Sequence, residues 1–211
     1  MTAAQRDSPW AEWLLRAIAL IFYGTFVAFI ARYWWADTGR HTLLLLLISE
    51  GLTVALLLFA RHAVLRDASA LAIAATALAL SFFLFFEYDG TLRIIPEWAG
   101  VSLQLLGMAW QVIAKLTLGR SFGVLPATRG LVTGGPYRSV RHPIYLGYLI
   151  GHIGFLLSNF SLQNLGVLLM LYAAQTIRML REEAVLRTGE QGDDYIAYCQ
   201  RVRWRIVPGV F

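Results

Sequence analysis

Charged residues are scarce in this chain. Asp, Glu, Lys and Arg make up 15% of its 211 residues, where a soluble domain holds about a quarter. With 58% hydrophobic residues and a mean hydropathy of +0.59, that shortage excludes an ordinary soluble domain and indicates an integral membrane protein. Cysteine is nearly absent: Cys199 stands alone, so no intramolecular disulfide can form and the redox compartment stays unread. The apolar stretches lack the polar alternation of barrel strands, which argues against a closed barrel. No internal repeat and no low-complexity linker divides the chain, so a single membrane domain over 1–211 is expected. Met1 to Glu12 carries little basic character and no small-residue cleavage site follows it, so a removable signal peptide is not expected.

Six apolar stretches are present: Trp13 to Trp35, Leu43 to Ala60, Ala68 to Phe86, Trp98 to Leu118, Pro143 to Leu157, and Leu165 running into Arg187. At 1.5 Å per residue the first measures roughly 30 Å, the thickness of the hydrocarbon core. The expected fold is all-α, a polytopic transmembrane bundle of about six spans. Trp10, Trp13, Trp34 and Trp35 bracket the first span as interface anchors. The fifth is short and could be half of a helical hairpin that does not fully cross. Glu50 lies inside the second span, where an ionisable group must be paired, protonated or turned to a cavity; a hydrogen-bonded bundle residue is the preferred reading. In the fourth, Gly100, Gln104, Gly107, Gln111 and Lys115 recur at helical spacing. That face should point inward, since small residues allow close helix approach and glutamines bond across helices. Gly147, Gly151 and Gly154 form a matching small-residue face on the fifth.

Between the fourth and fifth spans, Gly130 to Gly147 gathers Tyr137, Arg138, Arg141, His142 and Tyr145 among two prolines and four glycines. Gly and Pro fix turns that other residues resist, while Arg, His and Tyr bind anions, build hydrogen-bond networks and meet cations with a ring face. From Lys115 to Arg141 there are Lys115, Arg120, Arg129, Arg138 and Arg141 and no acid; from Glu87 to Glu97 there are three acids against Arg93. The basic bias places the loop in the cytoplasm, with both termini inside and the loops near Asp37 and Asn159 outside. The net charge of +5 raises nucleic acid as a partner, but the basic residues flank apolar spans, so anchoring at the inner leaflet explains them better.

If the fifth and sixth helices are antiparallel, the loop faces the end of the sixth, where Arg178, Arg181, Glu182, Glu183 and Arg187 leave the apolar region. Cations from Arg138, Arg141 and Arg181 beside carboxylates from Glu182 and Glu183 suit a zwitterion. The plainer alternative is mutual neutralisation of Arg178 with Glu182 and Glu183 with Arg187 at (i, i+4). Asp193 to Val210, rich in Tyr and Arg, is expected along the membrane surface.

The run Gly-Pro-Tyr-Arg-Ser-Val-Arg-His-Pro-Ile-Tyr-Leu-Gly, followed by Arg181-Glu182-Glu183, Tyr195, Tyr198, Arg201-Val202-Arg203 and Pro208-Gly209, resembles the isoprenylcysteine carboxyl methyltransferases and the related phospholipid methyltransferases. The resemblance covers the chain from about Leu118 onward. It makes 98–211 a methyltransferase-like core and leaves 1–97, the N-terminal spans, without a role. It implies S-adenosylmethionine as methyl donor, held near the cytoplasmic surface, and a lipid or lipidated acceptor entering from the bilayer; no metal is implied.

Carried over by position, the resemblance puts Tyr137, His142, Pro143 and Tyr145 in the cofactor pocket and makes Glu182 and Glu183 the paired cofactor-binding glutamates. Arg141 and Arg181 then stand near the reacting groups, with Glu182 beside them. Carboxylates and aromatic faces attract a sulfonium, and an Arg or the helix start at Pro143 suits a carboxylate. The surplus of arginines favours an anionic acceptor, the carboxylate of a prenylated thioether acid, over an amine. A sterol-type reductase shares Arg-His-Pro-x-Tyr-x-Gly but usually carries Asn at the place of Ile144 and Glu at that of Tyr148, and a non-enzymatic membrane protein would leave the polar loop unexplained.

Overall fold

The computed structural model describes residues 9–58, 65–66, 69–119, 127–128 and 131–211. Among these are seven α-helices: α1 (Pro9–Ala36), α2 (His41–Leu58), α3 (Ala70–Ser81), α4 (Glu97–Leu118), α5 (Pro143–Ser158), α6 (Leu162–Thr188) and α7 (Gly192–Arg201). A 3-10 turn, Phe82–Phe85, extends α3, and two-residue strands β1 (Leu65–Arg66) and β2 (Ala127–Thr128) pair antiparallel. The class is all-α, with a helix at each of the six apolar stretches. Arg120, Arg129 and Gly130 of the basic loop, the end of the second stretch at Ala60 and the first residue of the third, Ala68, lie outside the described residues, as do residues 1–8.

Among the described residues one helix, Glu97–Leu118, is long and apolar enough to cross a membrane; Leu20–Ala36, His41–Ala55, Ala70–Phe85 and Pro143–Ser158 are apolar but shorter. The inward face of α4 is the one the spacing indicates: Gly100, Gln104, Gly107, Gln111, Ala114 and Lys115 are buried. Trp98, Leu105, Leu106, Ile113 and Leu116 on its other sides are exposed. Polar inside and apolar outside reverses the order found in water and fits a hydrocarbon surround.

Helix α5 lies against α4 nearly backbone to backbone. A Cβ on Gly107 would fall 2.5 Å from the Gly147 carbonyl oxygen, and one on Gly154 would fall 2.7 Å from that of Gly100. Only glycine permits such an approach. Pro143 opens α5 at its first position, where the missing N–H costs nothing. Ser161 caps α6 by accepting from the Asn164 N–H at 3.1 Å.

The core is aromatic, with Phe26 and Phe83 centroids 4.3 Å apart and Phe86 and Phe155 4.8 Å apart. At the end remote from the basic loop, Arg40 donates to the Tyr88 carbonyl at 2.6 Å and to Asn159 Oδ1 at 2.7 Å. The Thr42 N–H and hydroxyl donate to Glu97 Oε1 at 2.9 and 2.8 Å. These bonds tie the ends of α2, α4 and α5 and leave the opposite end to carry the loop and tail.

Candidate functional site

The loop descends into a 3-10 turn, Gly135–Arg138, with Gly135 at φ 54° and Pro136 and Tyr137 buried. Residues 141 and 142 then dock on the C-terminal tail: the Arg141 N–H donates to the Trp204 carbonyl at 2.9 Å and the His142 N–H to that of Arg205 at 2.8 Å. From α7, the Tyr198 hydroxyl donates to the Tyr137 carbonyl at 2.7 Å. Loop, α7 and tail therefore form one unit over the start of α5.

Glu183 on α6 is its hub, with only 3% of its surface exposed. Arg205 grips both carboxylate oxygens, Nε to Oε1 at 3.1 Å and Nη2 to Oε2 at 3.2 Å. Arg141 Nη1 stands 3.4 Å and His142 Nε2 3.3 Å from Oε1, and Arg187 reaches Oε2 at 3.6 Å from the solvent side. Burial alone would raise this carboxyl's pKa; the hydrogen bonds from His142 and Arg205 and the adjacent charges outweigh it and hold the group down at about 2.

Arg141 is itself 9% exposed. It donates from Nη1 to Cys199 Sγ at 3.1 Å and from Nη2 to the Arg203 carbonyl at 3.4 Å, while its Nε is buried with no partner among the described residues. Burial works against its charge, but the Cys199 contact and Glu183 prevail and raise its pKa. Tyr195 is buried beside Arg141 and Cys199, and burial pushes its phenol well above the ordinary range.

The remaining expected residues separate around this hub. The His142 and Tyr145 rings lie 5.7 Å apart, centroid to centroid, and the Arg178 guanidinium sits 5.9 Å from the Tyr145 ring. Glu182 is half-buried, near enough to Tyr137 to help burial push that phenol up, and it makes no hydrogen bond or ion pair among the described residues. Arg181 turns to the other side of α6 and donates to Ser69 Oγ, at the start of α3, at 3.0 Å. Arg138 is exposed. Of the two (i, i+4) pairs, Glu183–Arg187 is formed, and Arg178 donates to Gln175 Oε1 at 2.7 Å. Arg205 was not among the residues the sequence singled out; the only signal for it was the general Tyr and Arg richness of the tail.

A second buried charge lies deeper. Lys115, 1% exposed, donates from Nζ to Thr53 Oγ1 at 3.0 Å, Gln111 Oε1 at 3.1 Å and Tyr148 Oη at 3.3 Å. Its ammonium stands 4.9 Å from the centre of the Tyr148 ring, and the Tyr148 and Thr53 hydroxyls are in contact. Lys115 thus belongs to the bundle interior and not to the surface cations of the loop. Glu50 supplies the nearby opposite charge.

No curated protein matches the chain. A family model described as phospholipid methyltransferase matches residues 96–189, taking in α4, the loop, α5 and α6 and stopping before α7. Over residues 96–189 the chain carries the pattern of the phospholipid methyltransferase family, in keeping with the group of membrane methyltransferases that its loop and glutamate motifs resemble.

Proposed function

We propose that this protein is an S-adenosylmethionine-dependent methyltransferase acting at the cytoplasmic face of a membrane on a lipidic acceptor, the carboxylate of a prenylated-cysteine-like thioether. The observation that carries the reading is the convergence of loop, α6 and tail on Glu183, beside a buried guanidinium with an N–H still to give, within a segment of methyltransferase pattern. About six spans, with this unit on the cytoplasmic side, complete the proposal; the outward apolar face of α4 and the basic bias of the loop support it.

The residues fit such a donor. S-adenosylmethionine, when bound, supplies an electrophilic methyl on a sulfonium sulfur, and no covalent enzyme intermediate is required. Arg141 Nε and the Tyr195 hydroxyl offer donors for a carboxylate. The carboxylate with open capacity for a cation is Glu182, near the Tyr137 and Tyr145 rings; Glu183 is already engaged by Arg141, His142, Arg187 and Arg205. A carboxylate acceptor is nucleophilic at neutral pH, so the protein's task is to align it and exclude water. Arg141, held by Glu183 and Cys199, is the residue placed to orient it.

A second reading, transfer to the amine of a phospholipid, is favoured by the description of the matching family. It requires a base for the departing proton, for which Glu182 is the available group. Methyl transfer from labelled donor to prenylcysteine analogues, aminophospholipids and other isoprenoid acids in detergent decides between them. Transfer to the prenylcysteine acid alone supports the first reading, transfer to amines alone the second, and no transfer to any acceptor rejects both.

A further inference from the structure

Cys199 is the single thiol of the chain, half-buried on α7. Its Sγ accepts from Arg141 Nη1 at 3.1 Å. Tyr195 lies four residues earlier on the same helix, so the two side chains are neighbours on one face. Tyr195 is 3% exposed, and its hydroxyl has no hydrogen-bond partner among the described residues. The acceptors of this unit are already engaged: the Tyr137 carbonyl by Tyr198, the Arg203 carbonyl by Arg141 Nη2, and both Glu183 oxygens by Arg205. What stands beside the phenol is sulfur, a weak acceptor.

Burying an O–H that has no acceptor is costly. An oxygen bonded to Sγ would supply one, within reach of both the phenol and the guanidinium. The setting is also that of a reactive thiol, partly open to solvent and beside a guanidinium, whereas fully buried structural cysteines are inert. The acid that shares Arg141 Nη1, Glu183 at 3.4 Å, is held by Arg187 and Arg205 as well. Three guanidiniums therefore stand against one carboxylate around this sulfur, and negative charge that develops there meets donors already in place.

We infer that Cys199 is a peroxide-reactive thiol whose sulfenic acid is held by the Tyr195 hydroxyl and the Arg141 guanidinium. Sulfur attacks one peroxide oxygen: the S–O bond forms, the O–O bond breaks, and the departing hydroxide takes the thiol proton and leaves as water. Sulfur gives up two electrons and the peroxide gains them. The inference stands apart from the proposed function, because its test reads thiol chemistry and not methyl transfer. The reduced full-length protein in detergent is exposed to hydrogen peroxide for timed intervals, and catalase ends the reaction. The chain is then unfolded with a cyclic 1,3-diketone, which tags sulfenic acid; intact mass gives the tagged fraction and maleimide titration the surviving thiol. Because the chain has one cysteine, every tag reports Cys199. The folded protein oxidises about tenfold faster than the same chain unfolded in guanidinium, and the lost thiol is recovered as tag. Tyr195→Phe, which keeps the ring and removes the O–H, slows the folded protein about fivefold. A folded rate no faster than the unfolded one, or thiol loss without the tag, overturns the inference whether or not the variant folds. A folded Tyr195→Phe that oxidises as fast as the wild type overturns it too.

Discussion

Two buried charges of this protein, Glu183 and Lys115, are satisfied in opposite ways. Glu183, at the junction of loop and tail, is surrounded by four charge-bearing partners from three stretches of chain: Arg141 and His142 of the loop, Arg187 of α6 and Arg205 of the tail. Lys115, inside the bundle, is surrounded by neutral oxygens of Thr53, Gln111 and Tyr148 that match its three N–H groups. Near water, a protein can gather several charges because solvent screens the excess. Inside an apolar bundle each added charge carries its own desolvation cost, so the ion is bonded by dipoles, with Glu50 as its nearby opposite charge. The first centre joins segments distant in sequence; the second stiffens a bundle already formed.

The sharpest way to break that contrast is Glu183→Ala. It leaves Arg141 and His142 buried beside each other without their anion, and the expected loss is about 3–5 kcal/mol, read as a fall in thermal unfolding temperature in detergent and as proteolysis of the tail. The pH dependence has a fixed sign. Because this carboxyl titrates lower in the folded protein than unfolded, at about 2 against its ordinary value of 4.5, its stabilisation is complete above the unfolded value and disappears as pH falls from there toward 2. Acid unfolding should therefore begin at the tail, with α4 and α5 still protected from hydrogen exchange.

Lys115→Met should cost less, about 1–3 kcal/mol, since three neutral acceptors lose a donor, no ring of like charges is left behind, and Glu50, deprived of its cation, can take up a proton. The same thermal scans, with tail proteolysis unchanged, check it. Glu182→Gln should leave stability alone and weaken S-adenosylmethionine binding about tenfold in calorimetry; unaltered affinity would assign the donor's cation to another group. The smallest effect is expected at Arg181. Arg181→Lys keeps a donor for Ser69 and should leave the transfer rate within about twofold, whereas Arg141→Lys loses the planar fork and should slow it by tenfold or more. Equal rates for the two variants would remove Arg141 from the acceptor's side.

What the sequence made legible follows the same division. The inward face of α4 was readable because Gly100, Gln104, Gly107, Gln111 and Lys115 repeat with the helix's own period, and the loop because Gly and Pro announce turns. Arg181-Glu182-Glu183 read as one cluster, yet consecutive helical residues point about 100° apart. The helix sends Arg181 to Ser69, Glu182 toward Tyr137 and Glu183 to the tail. Arg205 was illegible because its meeting with Glu183 depends on where the chain after α7 docks, which no local period encodes. The depth of Lys115 was obscured by its place at the start of a basic segment whose other cations suit an inner leaflet.

The glycine contacts between α4 and α5 limit how a bulky ligand could enter. Two helices whose carbonyl oxygens occupy the space a methyl group would need cannot slide or rotate against one another without collision. They behave as a single plank running from the end held by Arg40 and Glu97 to the end that carries the loop and tail. Any sideways gate for a lipid must then open at another seam, where α2 or α6 meets this plank through side chains that can change rotamer.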